Sequence, residues 1–309
     1  YLSTAAATLA TDQNMVVYCE PETLDKLKAL RPDWLAAKTR YVVKSFEEFP
    51  MTQFRATILE NRRTHPYHFD NRNTASYYLF CMARYAMLKE VIDANTFGST
   101  HFAWINVCIE RMGYKNLVYL EEALQQFRDK FSTCYIDYLS PQLIANLPDY
   151  FLWGRCSMCS GFFTGNAEYM YKVCDLIEKK SKQFLALGYG HADEQLFSPV
   201  YFENKDLFDV YLGDYQQMIT NYTLVRDECG RPIRQVLQNA YNQRDFETAL
   251  LICRIYTKSL DANTATIDDG TFVHFIKMYI SIALTTSLDD MAVIKRLCSA
   301  RNIPFTSVI

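Results

Sequence analysis

Between Met15 and Thr164, short apolar bursts alternate with longer segments whose apolar residues recur every three or four positions. This alternation narrows the fold more than any other feature of the chain. Met15-Val-Val-Tyr-Cys19, Arg40-Tyr-Val-Val-Lys44, Phe102-Ala-Trp-Ile105, Cys134-Tyr-Ile136 and Ser160-Gly-Phe-Phe-Thr164 are too short for helices and read as strands. Between them lie an alanine-rich run at Ala5–Ala10, a helix carrying Leu24, Leu27 and Leu30, and a helix over 74–92 with Tyr77, Phe80, Cys81, Arg84, Leu88 and Val91 at helical steps. Asn166 caps a further helix reaching about Leu187, and another opens at His191–Gln195. The polar segment 62–73 reads as a loop. Alternation of this kind predicts an α/β fold with a mostly parallel central sheet flanked by helices. An open parallel sheet would want one more strand ahead of Tyr1.

From Arg231-Pro232 the pattern turns to helices alone. Ile233–Tyr241, Phe246–Leu260, Thr271–Thr285 and Asp289–Ala300 are four helical segments joined by polar turns. The first pair has the small-and-large alternation of a tetratricopeptide-like hairpin, but no period repeats it, so a helical appendage is expected. The division expected is therefore 1–228 for the α/β part and 229–309 for a C-terminal helical module.

Several function classes drop out on composition. With 32 basic against 35 acidic residues and a net charge of −3, there is no cationic surplus for a nucleic-acid backbone. The longest apolar stretches, such as Met278–Leu284, fall far short of the ~20 residues of a membrane span, and no secretory leader is legible. Ten scattered cysteines suit free thiols in a reducing compartment, so a soluble, cytoplasmic protein is expected. Cys156-Ser-Met-Cys159 has the spacing of half a zinc knuckle or a redox motif, yet no second pair follows.

In an open sheet, ligands bind beyond the carboxyl ends of the strands. That selects Tyr18 with Glu20, Asn106, the Ser160-Gly161 and Thr164-Gly165 steps, and His191 through Gln195. Acidic residues at a helix start sit beside exposed amide donors and stay ionised, which suits a general base and equally suits an inert cap.

Four ordered motifs carry a resemblance. Thr100-His-Phe-Ala-Trp-Ile-Asn106, Cys159-Ser-Gly-Phe-Phe-Thr-Gly165, Gly188-Tyr-Gly-His-Ala-Asp-Glu-Gln195 and Gly213-Asp-Tyr-Gln-Gln217 resemble the HtrL/YibB family, read as glycosyltransferases and known from bacterial surface-polysaccharide loci and large DNA viruses. The likeness runs from Tyr1 to about Tyr222. The order of parts is also similar to glycogenin-like transferases with the GT-A fold.

The resemblance implies a nucleotide-sugar pocket, for a UDP-sugar donor, floored by Tyr18 and lined by Asn73, Tyr77, Arg84 and Trp104. Arg84 would pair with the diphosphate. Asp193 or Glu194 would stand near the anomeric carbon. Gly161, Phe162, Thr164 and Gln195 would shape the side that takes a glycan or other hydroxyl acceptor, with Tyr215 and Gln216 closing the pocket. Family members read Trp-Ile-Asp-Phe-Gly where this chain has Trp104-Ile-Asn-Val-Cys108. Asn106 offers a Mn²⁺ or Mg²⁺ ion only a neutral carbonyl, so the ion would lean on His191 or Asp193, or be absent. Two alternatives stay open: a non-catalytic nucleotide-sugar or glycan binder, and an interaction protein acting through the helices of 231–309.

Overall fold

The computed structural model describes residues 2–65, 74–112, 117–190 and 193–309. It is a mixed α/β structure with a helical C-terminal region. The expected single, mostly parallel sheet is not what forms. Met15–Cys19 (β1) and Thr39–Val43 (β2) make a two-stranded parallel sheet, with Met15 opposite Thr39 and Cys19 opposite Val43. A second sheet holds His101–Ile105 (β3), Ser132–Tyr135 (β4), Met158–Asn166 (β5) and Tyr211–Leu212 (β6) in the order β3-β5-β4-β6.

In that sheet β5 runs antiparallel to both β3 and β4, and only β4 with β6 is parallel. The physical reason the sequence misleads lies in β5. Its residues are buried on both faces through Gly165, so Met158-Cys-Ser-Gly-Phe-Phe-Thr-Gly165 lacks the in-and-out alternation of a half-wet strand, as a parallel central strand would, and such a run carries no direction. The pairing of β4 slips between Thr133 and Tyr135, leaving Cys134 at an irregularity of the ladder.

Two long helices cover the second sheet. Ala75–Ala94 begins at Thr74, whose hydroxyl accepts from the Tyr77 amide, and Ala167–Ala186 begins at Asn166, whose side chain accepts from the Tyr169 amide. They pack side by side, and the Tyr78 hydroxyl meets Ser181 Oγ at 2.9 Å. Ten residues of Ala75–Ala94 are buried, among them Arg84. A helix Arg55–Thr64 occupies the start of the expected 62–73 loop.

β1 and β3 belong to different sheets yet share a floor: Tyr18 of β1 and Trp104 of β3 both pack against Phe49, Ala83 and Met87. The C-terminal helices are a π-helical turn Pro232–Leu237 continuing as Gln238–Asn242, then Phe246–Asp261, Asp269–Thr286 and Asp290–Ala300. Their core residues Ile233, Tyr256, Phe275 and Tyr279 fall in one continuous cluster with Tyr135, Tyr138 and Tyr150. At about 1.5–3 kcal/mol per fully buried large apolar side chain, this shared core makes the helices part of the folded body. Among the described residues no helix is long and apolar enough to cross a membrane.

Candidate functional site

The centre of the site is an ion pair. Arg84 Nη1 of the Ala75–Ala94 helix lies 3.2 Å from Asp193 Oδ2, with both side chains almost fully buried. The same Nη1 donates to the Ser160 carbonyl at 2.6 Å, the Tyr85 hydroxyl donates to Asp193 Oδ2 at 3.3 Å, and the guanidinium lies 5.4 Å from the centre of the Trp104 ring. Burial, the largest single influence, opposes the charge on Arg84, but Asp193 together with Cys81, Tyr85 and Glu194 outweighs it, so the guanidinium is held above its ordinary range.

Glu194 opens the helix Glu194–Glu203 and is only half-buried. Its Oε1 accepts from the Ser160 amide at 3.2 Å and from Ser160 Oγ at 3.3 Å; its Oε2 accepts from the Tyr215 hydroxyl at 2.6 Å. The Cys156 thiol lies 2.9 Å from that hydroxyl and 3.9 Å from Oε2. Burial first, and then the adjacent Asp193 carboxylate, push the Glu194 carboxyl up to about 7, against the opposing pull of Tyr215, Ser160 and Arg84. Glu194 is therefore able to exchange a proton near neutrality, as acid or base chemistry requires.

Asn106 follows β3 directly. Its amide donates to the Gly161 carbonyl at 2.9 Å, and its Oδ1 accepts from Trp104 Nε1 at 2.9 Å. Arg84, Asn106 and Asp193, expected from the sequence to meet at one place, are thus joined through Trp104 and the Ser160-Gly161 step.

The local reasons are visible in the chain. Pro199, inside Glu194–Glu203, has no N–H for the carbonyl four residues back, and the Tyr150 hydroxyl donates to that Gln195 carbonyl at 2.8 Å instead. Gln195 Nε2 in turn donates to the Tyr150 carbonyl at 3.3 Å. This lock fixes the helix start that presents Asp193 and Glu194.

Other expected site residues are placed differently. Gln195, with 1% of its surface exposed, belongs to that lock and cannot meet an acceptor. Phe162 is fully buried with its ring 5.4 Å from that of Tyr222, and the Thr164 hydroxyl is hydrogen-bonded to the Tyr222 hydroxyl, so neither shapes an acceptor surface; alternate residues of a doubly covered strand both point into packing. Arg84 is not a solvent-facing diphosphate clamp, since Asp193 and Ser160 already occupy Nη1. Tyr215 serves Glu194. Gly161 lies against Met218 and the Asn106 amide, Gln216 is exposed, and Tyr77 is half exposed at the helix start. Tyr18 turns its hydroxyl to Glu90 at 3.0 Å. Asn73 and His191 lie outside the described residues.

Two contributors are not placed at this site by the sequence. Tyr85 gives no signal because it ends a stretch, Cys81–Tyr85, that is buried on every side of the helix and so sets no residue apart. Cys156 was visible only as half of a metal or redox pair, whereas it faces Tyr215.

The family described as "Bacterial protein of unknown function (HtrL_YibB)" matches residues 1–223. The chain belongs to the HtrL/YibB family. No curated protein and no solved structure matches it. The HtrL/YibB match spans both sheets and every residue of the cluster, and ends ahead of the C-terminal helices.

A divalent cation does not fit the described part of this HtrL/YibB site. Among the described residues no three His, Cys, Asp or Glu side chains gather as ligands, Asn106 Oδ1 is engaged by Trp104, and Asp193 is paired with Arg84.

Proposed function

We propose that the protein is a GT-A-like glycosyltransferase that moves a hexose or related sugar from a nucleotide-diphosphate donor, a UDP-sugar, to a hydroxyl of a glycan or other acceptor. One observation carries it: a half-buried Glu194, titrating near neutrality, held beside a buried Arg84–Asp193 pair at the end of β3.

In this reaction the Glu194 carboxylate accepts the proton of the acceptor hydroxyl. The freed oxygen forms the new bond to the anomeric carbon while the bond to the diphosphate breaks, and the nucleoside diphosphate leaves with that electron pair. A base of this kind inverts the anomeric carbon. Arg84 acts by holding Asp193 in place, and its Nε is a buried donor without a partner in the described structure. All ten cysteines are free thiols, which supports a reaction in the cytoplasm.

The test is incubation with a panel of nucleotide sugars, with and without Mn²⁺, following nucleotide release and the anomer formed. Wild-type release that drops at least about a hundredfold in Glu194→Gln is expected. Asn106, a neutral side chain already engaged by Trp104, favours a second reading as a nucleotide-sugar binder. Binding without hydrolysis or transfer under any of these conditions decides for it.

A further inference from the structure

The loop after β6 joins the candidate site to a part of the chain that the family match does not reach. Gly213 begins it under tight packing, since an added Cβ would come within 2.9 Å of Cys134 Sγ. Asp214 then bonds in two directions. Its Oδ1 accepts from the Gln216 amide at 2.7 Å, closing a local turn, and its Oδ2 is ion-paired with Arg231. The Asp214 side chain is largely buried, unlike that of Arg231. The next residue, Tyr215, donates to Glu194 Oε2 and meets the Cys156 thiol. Arg231 immediately precedes the first C-terminal helical turn, Pro232–Leu237.

We propose that Arg231 is a positioning residue for Glu194: through Asp214 it holds Tyr215 against the Glu194 carboxylate, so that the C-terminal helices set the geometry of a site built within residues 1–223. The chain of contacts is short and each link has a different chemistry, an ion pair, a turn and a charge-assisted hydrogen bond. Among the described residues the groups facing Glu194 are Asp193 just ahead of its helix, Arg84 and Cys81 from the Ala75–Ala94 helix, Cys156, Cys159 and Ser160 from the β5 segment, and Tyr215 from the loop. Of these, only Tyr215 is tied to the C-terminal helices by the Arg231–Asp214 pair.

The inference rests on the proposed function only for the importance of Glu194; the coupling itself is read without activity. The experiment uses the full chain with Arg231→Ala, Arg231→Lys, Asp214→Asn and the double variant Arg231→Ala/Asp214→Asn. Asp214→Asn keeps the oxygen that closes the turn and replaces the anionic oxygen facing Arg231 with a neutral amide nitrogen. Alkylation of Cys156 by a maleimide is followed by peptide mass spectrometry, with Cys108 as the reference thiol, and the Glu194 carboxyl is titrated by carbon-detected NMR.

Arg231→Ala and Asp214→Asn are each expected to speed Cys156 alkylation about tenfold and to move the Glu194 titration, with no further change in the double variant and substantial rescue in Arg231→Lys. Unchanged Cys156 rates and an unmoved Glu194 titration in folded Arg231→Ala overturn the proposal, and so do additive effects in the double variant. If these readouts respond while no donor is ever turned over, the coupling stands and the transferase reading alone fails.

Discussion

Arg84 and Asp193 are 109 positions apart in sequence, yet their side chains meet at 3.2 Å with both nearly sealed from solvent. A buried pair of this kind contributes little net stability, because desolvation offsets most of the attraction, but removing one partner leaves an uncompensated charge. Arg84→Met should therefore lower unfolding free energy by about 3–5 kcal/mol. Adding Asp193→Leu should restore a large part of it. Urea denaturation of the single and double variants reads this directly; a double variant no more stable than Arg84→Met would show that the pair's neighbours, not its charges, carry the cost.

Glu194 gives the chain a pH dependence of definite sign. Its carboxyl is raised from 4.5 to about 7, so between those values the folded chain binds more protons than the unfolded one. Stability contributed by this group is then full at low pH and is lost as pH rises toward 7. The difference in urea midpoint between wild type and Glu194→Gln should narrow or reverse across that window, and nucleotide release should rise over the same range as the base is freed. A wild-type-minus-variant difference that stays flat from pH 4.5 to 7 contradicts the assignment.

Much of the fold is written in hydrophobic periodicity. The strand at Phe102–Ile105, the helix reaching from Thr74 to Ile92 and the helix starting at Asn166 all appear within a few residues of where the sequence puts them. Direction is what periodicity omits: β5 reads as a strand from its apolar run, while its antiparallel course is decided by how β3 and β4 flank it. The site is legible to a similar depth. Strand-end and helix-start reasoning singles out Asn106, Ser160 and Glu194, while the family resemblance assigns Phe162, Thr164 and Gln195 to a surface, because a polar or aromatic residue near a strand end looks alike whether it faces ligand or core.

Arg31 shows a structural role with no sequence pattern to announce it. It is buried, its Nη1 donates to the carbonyls of Leu9 and Thr11, its Nη2 to that of Gln13, and its Nε to Thr39 Oγ1, so one planar fork ties the Thr11–Gln13 turn to the start of β2. Lysine carries its three donors on one atom and cannot reach this spread of acceptors. Arg31→Lys should cost roughly 2–4 kcal/mol, as buried carbonyls lose their partners. Hydrogen exchange would show the loss concentrated in β1 and β2; a variant with unchanged exchange there would remove this role from Arg31.

Asn106 stands where the resemblance leads one to expect the aspartate of a Trp-Ile-Asp-Phe-Gly pattern, and its Oδ1 already accepts from Trp104 Nε1. Asn106→Asp keeps that acceptor and replaces the amide nitrogen with a second, anionic oxygen. A hard divalent cation favours such an oxygen over a neutral carbonyl. The variant should therefore show a thermal shift at Mn²⁺ concentrations that leave the wild-type chain unmoved, since a ligand that binds only the folded state raises its melting temperature by mass action. The same titration with the nucleotide diphosphate present tests whether the added oxygen acts beside the donor. Identical metal responses in the two chains would mean that residue 106 is no cation ligand whatever side chain it carries, and that the asparagine is kept for its bond to the Trp104 ring beneath Arg84.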